Sequence, residues 1–135
     1  MLKKHLLLSA LLIVSVGLIT GCFRQSAIVN LHDLPAVGSS GRNLSAASVK
    51  QAIIAGARTR GWVARELSPG VITATLAVRA HTAEVEIPYN STSYSIVYKN
   101  SNNLKYQPST QTIHSQYNTW IVYLHQAIES QLAVQ

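Results

Sequence analysis

Apolar side chains recur along residues 44–135 with two different periods, which predicts two helices flanking a run of strands. From about Ala46 to Arg60 and from about Ser115 to Leu132, apolar residues fall three or four positions apart, the spacing of one helix face. Ser45 is placed to cap the first helix, and Gly61 is placed to end it. Between the helices, apolar and polar residues alternate as in strands with one buried face. These segments are Trp62 to Leu67, Val71 to Arg79, His81 to Tyr89 and Tyr94 to Ser101.

The short links between the four segments predict an antiparallel meander, since parallel strands would need longer crossovers. The expected fold class is α+β: a four-stranded antiparallel meander covered on one face by two helices, in the order α-β-β-β-β-α. Residues 44–135 are expected to form a single globular domain. Residues 22–43 are expected to form a tether, because Pro35 and Ser39-Ser40-Gly41 interrupt any helical period. Within the tether, the apolar stretch from Ala27 to Leu31 is suited to pairing with a sheet edge.

The N-terminus has the pattern of a secretory signal peptide. Lys3 and Lys4 form a short positive region, and a mostly apolar run of 14 residues follows from Leu6 to Ile19. A helix needs about 20 residues to span a bilayer core, so this run is too short for a membrane-spanning helix. A charged start, a short apolar run and small residues at its end are typical of a signal peptide, here residues 1–21.

The run ends in Leu18-Ile19-Thr20-Gly21-Cys22. This motif resembles the lipobox of bacterial lipoproteins, although Ile19 stands where Leu is commoner. The resemblance implies that a diacylglyceryl group is attached to the Cys22 thiol and that cleavage occurs between Gly21 and Cys22. In many Gram-negative bacteria the new amine is also acylated, for example with palmitate. The next residue is Phe23 rather than Asp, which by the sorting rule for Gram-negative lipoproteins implies the outer membrane, with the protein facing the periplasm.

Composition limits what the remaining chain can do. Cys22 is the only cysteine, so an intrachain disulfide is excluded and packing must supply the stability. Loss of Lys3 and Lys4 with the signal peptide lowers the formal net charge from +6 by two, which leaves a basic protein. In the cell envelope, a basic protein suits anionic lipid head groups or cell-wall polymers, or the charge serves solubility alone. Secretion argues against a nucleic-acid partner.

The sequence lacks the motifs that are typical of catalytic or metal-binding sites. It contains no G-x-S-x-G, Walker loop, G-x-G-x-x-G or H-E-x-x-H. His114 and His125 would lie about 16 Å apart along one helix, too far to share a metal ion. No cofactor and no metal are therefore expected. Asp33 is the only aspartate and falls in the predicted tether, which argues against a Ser-His-Asp arrangement in the domain.

Glu84 and Glu86 leave two interpretations open. They are expected on one strand face, about 7 Å apart. Paired carboxylates can act as the acid and base of a glycosidase. Ion pairs with cations on the same face, such as Lys99, explain the pattern without chemistry.

Aromatic and arginine residues supply the candidate binding surface. The aromatics Trp120, Tyr123 and Tyr106 either complete a small core or line a patch for a partner. The arginines at the predicted helix–strand corner either contact an anionic group or form a solvated charged edge. These arginines are Arg58, Arg60 and Arg65.

A second resemblance covers most of the chain after the lipobox. Gly61-Trp62, Pro69-Gly70 and the Y-N-x-W segment from Tyr117 to Trp120 resemble motifs of small uncharacterised lipoproteins of proteobacteria. The motifs are structural and imply no reaction. The expected function is a membrane-anchored, non-catalytic binding or scaffolding module, not an enzyme, whose partner is an envelope protein or an anionic envelope polymer. The alternative is a small hydrolase or ligand-binding domain directed at cell-wall or lipid material.

Overall fold

The computed structural model describes residues 24–135. The predicted signal peptide, the cleavage site and the lipidation of Cys22 therefore lie outside the described residues. The described chain forms seven strands, two α-helices and a 3-10 turn at Ser39–Gly41. The helices are α1 (Ala46–Thr59) and α2 (Ser115–Leu132). The strands are β1 (Gln25–Ala27), β2 (Leu31–Pro35), β3 (Val63–Ser68), β4 (Val71–Val78), β5 (His81–Pro88), β6 (Ser93–Asn102) and β7 (Thr112–His114).

The main sheet is antiparallel and has the strand order β2-β6-β5-β4-β3. Strands β3 to β6 are the predicted meander, so the α+β class and the antiparallel order are confirmed. The predicted strand number is wrong, because β2 adds a fifth strand along the free edge of β6. Strand β7, just before α2, pairs with β1 in a separate two-stranded sheet.

The N-terminal segment is folded from its first described residues, so the prediction of a tether is wrong over residues 24–43. Asn118 on α2 fixes this segment: its Oδ1 accepts from the Val29 amide at 3.0 Å, and its Nδ2 donates to the Ala27 carbonyl at 2.8 Å. The Oδ1 of Asn30 accepts from the Tyr98 amide of β6 at 2.8 Å. The Asn118 side chain thus satisfies backbone groups of Ala27 and Val29, and the Asn30 side chain satisfies a backbone amide of β6. No local sequence pattern reveals partners this distant.

The helix ends follow the sequence closely. The Ser45 hydroxyl accepts from the Ser48 amide at 3.1 Å, which confirms the predicted cap of α1. Gly61 has φ of +80°, the left-handed conformation expected after a helix end. Helix α2 begins and ends at the predicted residues. Its cap is His114, whose Nδ1 accepts from the Gln116 amide at 3.1 Å.

The two helices run antiparallel and bury one face of the sheet. Gly56 of α1 meets α2 at Ile128, and Arg60, one turn further along α1, meets Tyr123, which lies earlier on α2. The predicted apolar stripes of both helices are fully or almost fully buried. From the sheet, the same core receives Ile72, Ala74, Leu76, Ala83, Val85, Ile87, Tyr94 and Ile96.

The opposite face of the sheet carries no helix of residues 24–135. Its side chains alternate with the buried ones, as the period of two requires. They include Glu84, Glu86 and Lys99, together with exposed Val63 on the edge strand β3 and Thr73, which is buried although it lies on this face. The candidate carboxylates therefore lie on an open surface rather than in a cleft between two layers.

Candidate functional site

The two candidate carboxylates are bridged by a lysine. Lys99 Nζ lies 3.4 Å from Glu84 Oε1 and 3.2 Å from Glu86 Oε1. A bulge between β5 and β6 makes this possible, because Glu84 pairs with Asn100 and Val85 with Tyr98, which leaves Lys99 as the extra residue. The hydrogen bond to Glu86 raises the pKa of Lys99, which keeps the ammonium charged. The interpretation as cross-strand ion pairs is confirmed.

Both carboxylates experience similar surroundings. Each contacts the same ammonium and each is about one-third exposed, with side-chain values of 31% for Glu84 and 41% for Glu86. Glu84 also accepts from the Thr73 hydroxyl at 3.1 Å. Lys99 and Thr73 thus account for the positions of both carboxylates.

A second ion pair joins α1 to the edge of the sheet. Lys50 Nζ lies 3.0 Å from Glu66 Oε2, and the Tyr89 hydroxyl donates to Glu66 Oε1 at 2.8 Å. The hydrogen bond from Lys50, followed by that from Tyr89, lowers the pKa of Glu66. This exposed cluster fastens a helix, β3 and the end of β5 together, and a structural role accounts for every group in it.

The histidines are dispersed and serve separate contacts. His81 Nδ1 lies 2.8 Å from the Asn103 carbonyl, and His114 caps α2. His125 Nδ1 lies 2.9 Å from the Tyr94 hydroxyl, and its Nε2 lies 3.5 Å from Glu129 Oε2. Among residues 24–135, no group of three His, Cys, Asp or Glu side chains is placed to hold a metal ion.

Tyr94 and Tyr117 are the largest fully buried side chains of the core. Burial raises the pKa of both hydroxyls, and for Tyr94 the carboxylate of Glu129 adds to the effect. Tyr94 has His125 as its partner. The Tyr117 hydroxyl has no hydrogen-bond partner within the described part of the chain.

The three arginines of the predicted corner do not form one cluster. The Arg60 guanidinium lies 5.3 Å from the centre of the Tyr123 ring, in cation–π geometry. Arg58 is exposed on the last turn of α1. Arg65 stands opposite Thr73 on the open face of the sheet, so the sheet separates it from Arg60. The expectation of a shared arginine corner is wrong, because alternation along β3 directs Arg65 to the other face.

The predicted aromatic patch is divided between core and surface. The Tyr106 ring packs on Tyr98 with 4.4 Å between centroids, and Tyr98 meets the Tyr117 ring edge-on at 5.6 Å. Trp120 is partly buried against the core. Tyr123 remains 47% exposed. Tyr123 is therefore the most exposed of the three aromatics, whereas Tyr106 and Trp120 are partly buried and pack against the core.

A small polar cavity lies at the end of the sheet where β5 turns into β6. Its volume is about 240 Å³, smaller than the roughly 300–1,000 Å³ of sites for drug-sized ligands. At its rim Asp33 adopts φ of +51°, and its amide donates to the Ser95 hydroxyl at 3.0 Å. The sequence pattern around Asp33 resembles a tether and gives no sign of this cavity. The lining residues are Asp33, Gly70, Pro88, Tyr89, Asn90, Ser93, Tyr94 and Ser95.

The described chain begins at the opposite end of the sheet. The Ser115 amide, at the start of α2, donates to the Arg24 carbonyl at 2.6 Å. Gln25 pairs with His114, and its Nε2 donates to the Lys105 carbonyl at 2.9 Å. The backbone is therefore fixed to the folded unit within two residues of Cys22.

Comparison with models of protein families, with curated protein sequences and with solved structures finds no match. In the part of the chain that the structure describes, no helix is both long and apolar enough to cross a membrane.

Proposed function

We propose that the chain is a membrane-anchored lipoprotein of the cell envelope and acts as a non-catalytic binding or scaffolding module. The observation that carries the proposal is the junction at Arg24. The lipobox ends at Cys22, and the carbonyl of Arg24 already accepts a hydrogen bond from the first residue of α2. Two peptide units span at most about 7 Å, so a lipid on Cys22 would hold the folded unit directly at the bilayer.

The state of the candidate catalytic groups supports a binding role. Glu84 and Glu86 share Lys99, and Glu66 is held by Lys50 and Tyr89. Each of these carboxylates therefore has a partner in the fold, and a stabilising contact accounts for its position. A module of this kind acts by holding a surface at a fixed distance from the membrane, where an envelope protein or an anionic polymer can reach it.

Small-ligand binding is the second candidate, and the cavity near Asp33 favours it. A left-handed conformation at a non-glycine residue costs free energy and is often found at functional positions. The Asp33 carboxylate makes no ion pair among the described residues. A cavity of about 240 Å³ with a carboxylate at its rim suits a small cationic or polar molecule.

The anchor is tested by comparing the full chain with Cys22→Ser in the cells of origin. The wild-type protein should fractionate with membranes, and mass spectrometry should find its N-terminal cysteine carrying diacylglycerol. Cys22→Ser should lose both properties, because serine has no thiol to form the thioether. Ser9→Ala, in the apolar run outside the lipobox, is the matched control and should behave as wild type. A wild-type protein recovered without lipid would contradict the proposal.

The binding role is tested by cross-linking in intact cells. A partner captured by the wild type and lost with Cys22→Ser would support an anchored module. The double variant Glu84→Gln/Glu86→Gln should keep every envelope phenotype of the wild type. Loss of those phenotypes in a folded double variant would favour the hydrolase instead.

A further inference from the structure

One end of the fold collects unpaired cations around the start of the described chain. Arg24 lies beside Ser115, and Lys105 is joined to Gln25 by a hydrogen bond to its carbonyl. The neighbouring Asn103 contacts the β4–β5 turn, where its Nδ2 lies 3.5 Å from the Ala80 carbonyl. Arg79 is part of that turn. This basic end of the fold consists of three exposed residues, Arg24, Arg79 and Lys105.

Acidic side chains are placed elsewhere. Each cation of the basic end is free of a salt bridge in residues 24–135. By contrast, Lys50 and Lys99 form ion pairs with glutamates. No acid occurs in residues 24–32, 67–83 or 87–128. The five acids are Asp33 at the cavity, Glu66 at the edge of β3, Glu84 and Glu86 on the open face, and Glu129 near the end of α2.

The basic end is also the end nearest to the chain that precedes the structure. Cys22 is two residues before Arg24, within about 7 Å by backbone geometry. Strand β4 has eight residues, which places the opposite end of the sheet, with Gly70 and Asn90, about 23 Å away. Any attachment at Cys22 therefore presents the basic end, and not the cavity, to the surface that carries it.

We propose that the basic end docks on the anionic phospholipid head groups of the membrane to which the chain is anchored. This inference rests on the proposed lipidation of Cys22. Docking at Arg24, Arg79 and Lys105 orients the sheet away from the bilayer, so that α2 runs outward and the cavity near Asp33 faces away from the membrane. The anchor supplies attachment, and the basic end supplies orientation.

The size of the effect follows from the charge near the surface. A lysine or arginine beside an anionic membrane contributes about a fivefold increase in the docked population, and salt screens this contribution. Replacing two of the three cations should therefore lower the ratio of docked to undocked molecules by about 25-fold at low salt.

The test uses the lipidated full-length protein, purified from membranes and reconstituted into two kinds of vesicle. One kind contains phosphatidylcholine alone, and the other adds phosphatidylglycerol. Amide hydrogen exchange is followed by mass spectrometry at residues 79–82 and 103–106. Exchange at both segments should be slower on the anionic vesicles, and high salt should restore the rate seen on phosphatidylcholine.

Matched variants distinguish an effect of where the cations lie from an effect of the protein's net charge. Arg79→Gln/Lys105→Gln should lose most of the slowing on anionic vesicles. Arg42→Gln/Arg65→Gln removes the same charge away from the basic end and should retain it. Lys105→Arg keeps the charge and should behave as wild type. Thermal unfolding of each variant shows that loss of slowing does not reflect loss of fold.

Four other outcomes would each overturn either the docking or the lipoprotein proposal. Equal exchange on both vesicles, with the wild type bound to both, overturns docking and leaves the anchor intact. Slowing that is insensitive to lipid charge and to salt also overturns it, since the anchor alone would then explain the contact. Slowing that requires an added envelope protein overturns it in favour of a protein partner. Failure to associate with either vesicle overturns the lipoprotein proposal itself.

Discussion

Gly56 allows the two helices to approach more closely than any other residue would permit. A Cβ placed on Gly56 would lie 2.7 Å from the Ile128 amide nitrogen and 2.8 Å from its Cα. These are backbone atoms of α2, so no side-chain rotation relieves the contact. We predict that Gly56→Ala destabilises the fold, although in an ordinary helix the same change is stabilising.

The magnitude follows from two opposing effects. Alanine is favoured over glycine within a helix by about 1 kcal/mol. Overpacking of a well-filled core costs about 1–3 kcal/mol, and rigid backbone obstruction places this site at the upper end. Restoring an ordinary contact distance between the new Cβ and the Ile128 backbone would move α2 away from α1 by roughly 0.7 Å. Atom pairs across the helix interface would then lose a quarter to a half of their dispersion energy. The expected net loss is about 2 kcal/mol, or about 8 °C in Tm.

Thermal and urea unfolding of the two proteins measure this loss. Gly38→Ala is the matched control, because its Cβ would meet Leu44 Cδ2 at 2.8 Å, the movable end of a side chain, and its nearest backbone atom, the Arg42 carbonyl oxygen, lies at 3.3 Å. The control should lose less than about 1 kcal/mol. A Gly56→Ala protein as stable as wild type, or more stable, would refute the close helix contact and the antiparallel packing built on it.

Three other changes test the core and the N-terminal segment. Tyr117→Phe removes a buried hydroxyl without a partner, so unfolding in urea should show a stability equal to wild type or about 1 kcal/mol higher. Burial raises the pKa of Tyr94 and Tyr117 above the ordinary tyrosine value of 10.0. Stability should therefore hold below about pH 10 and fall above it, by about 1.4 kcal/mol per pH unit per tyrosine. An alkaline titration of Tm with no such fall would contradict their burial. Asn118→Ala removes the partners of Val29 and Ala27, so amide exchange at residues 25–29 should accelerate while exchange in β4 and β5 stays unchanged.

Periodicity predicted the elements whose side chains divide cleanly between core and solvent. The alternation of Ala83, Val85 and Ile87 with Glu84 and Glu86 corresponds to one buried and one open face of β5. The same logic gave α2 its bounds. These patterns are local, because the period of an element is determined by its own backbone geometry.

The pairing of β2 with β6 depends on contacts that are distant in the chain. The Asn30 side chain accepts a hydrogen bond from the Tyr98 amide. The Asp33 amide donates to the Ser95 hydroxyl at the irregularity between Leu31 and Leu34 in the β2–β6 pairing. Short strands with exposed polar residues and a proline resemble a linker when only neighbouring residues are compared. The cavity at Asp33 was hidden for the same reason, since a site formed by the meeting of separate strands has no spacing of its own in the sequence.

The Y-N-x-W segment stands out in the sequence, but the sequence does not show what its residues contact. Tyr117 and Trp120 have the residue types of a core stripe, and both pack on the core. Asn118 lies between them and bonds to Val29 and Ala27, some ninety residues earlier in the chain. That contact turns the expected tether into a fixed strand. A tether of 22 residues would let an anchored domain reach far from the membrane and rotate freely. A backbone held in place from Arg24 onward restricts both reach and rotation. Under the proposed anchoring, charges at the basic end would therefore bias how the domain is oriented on the membrane.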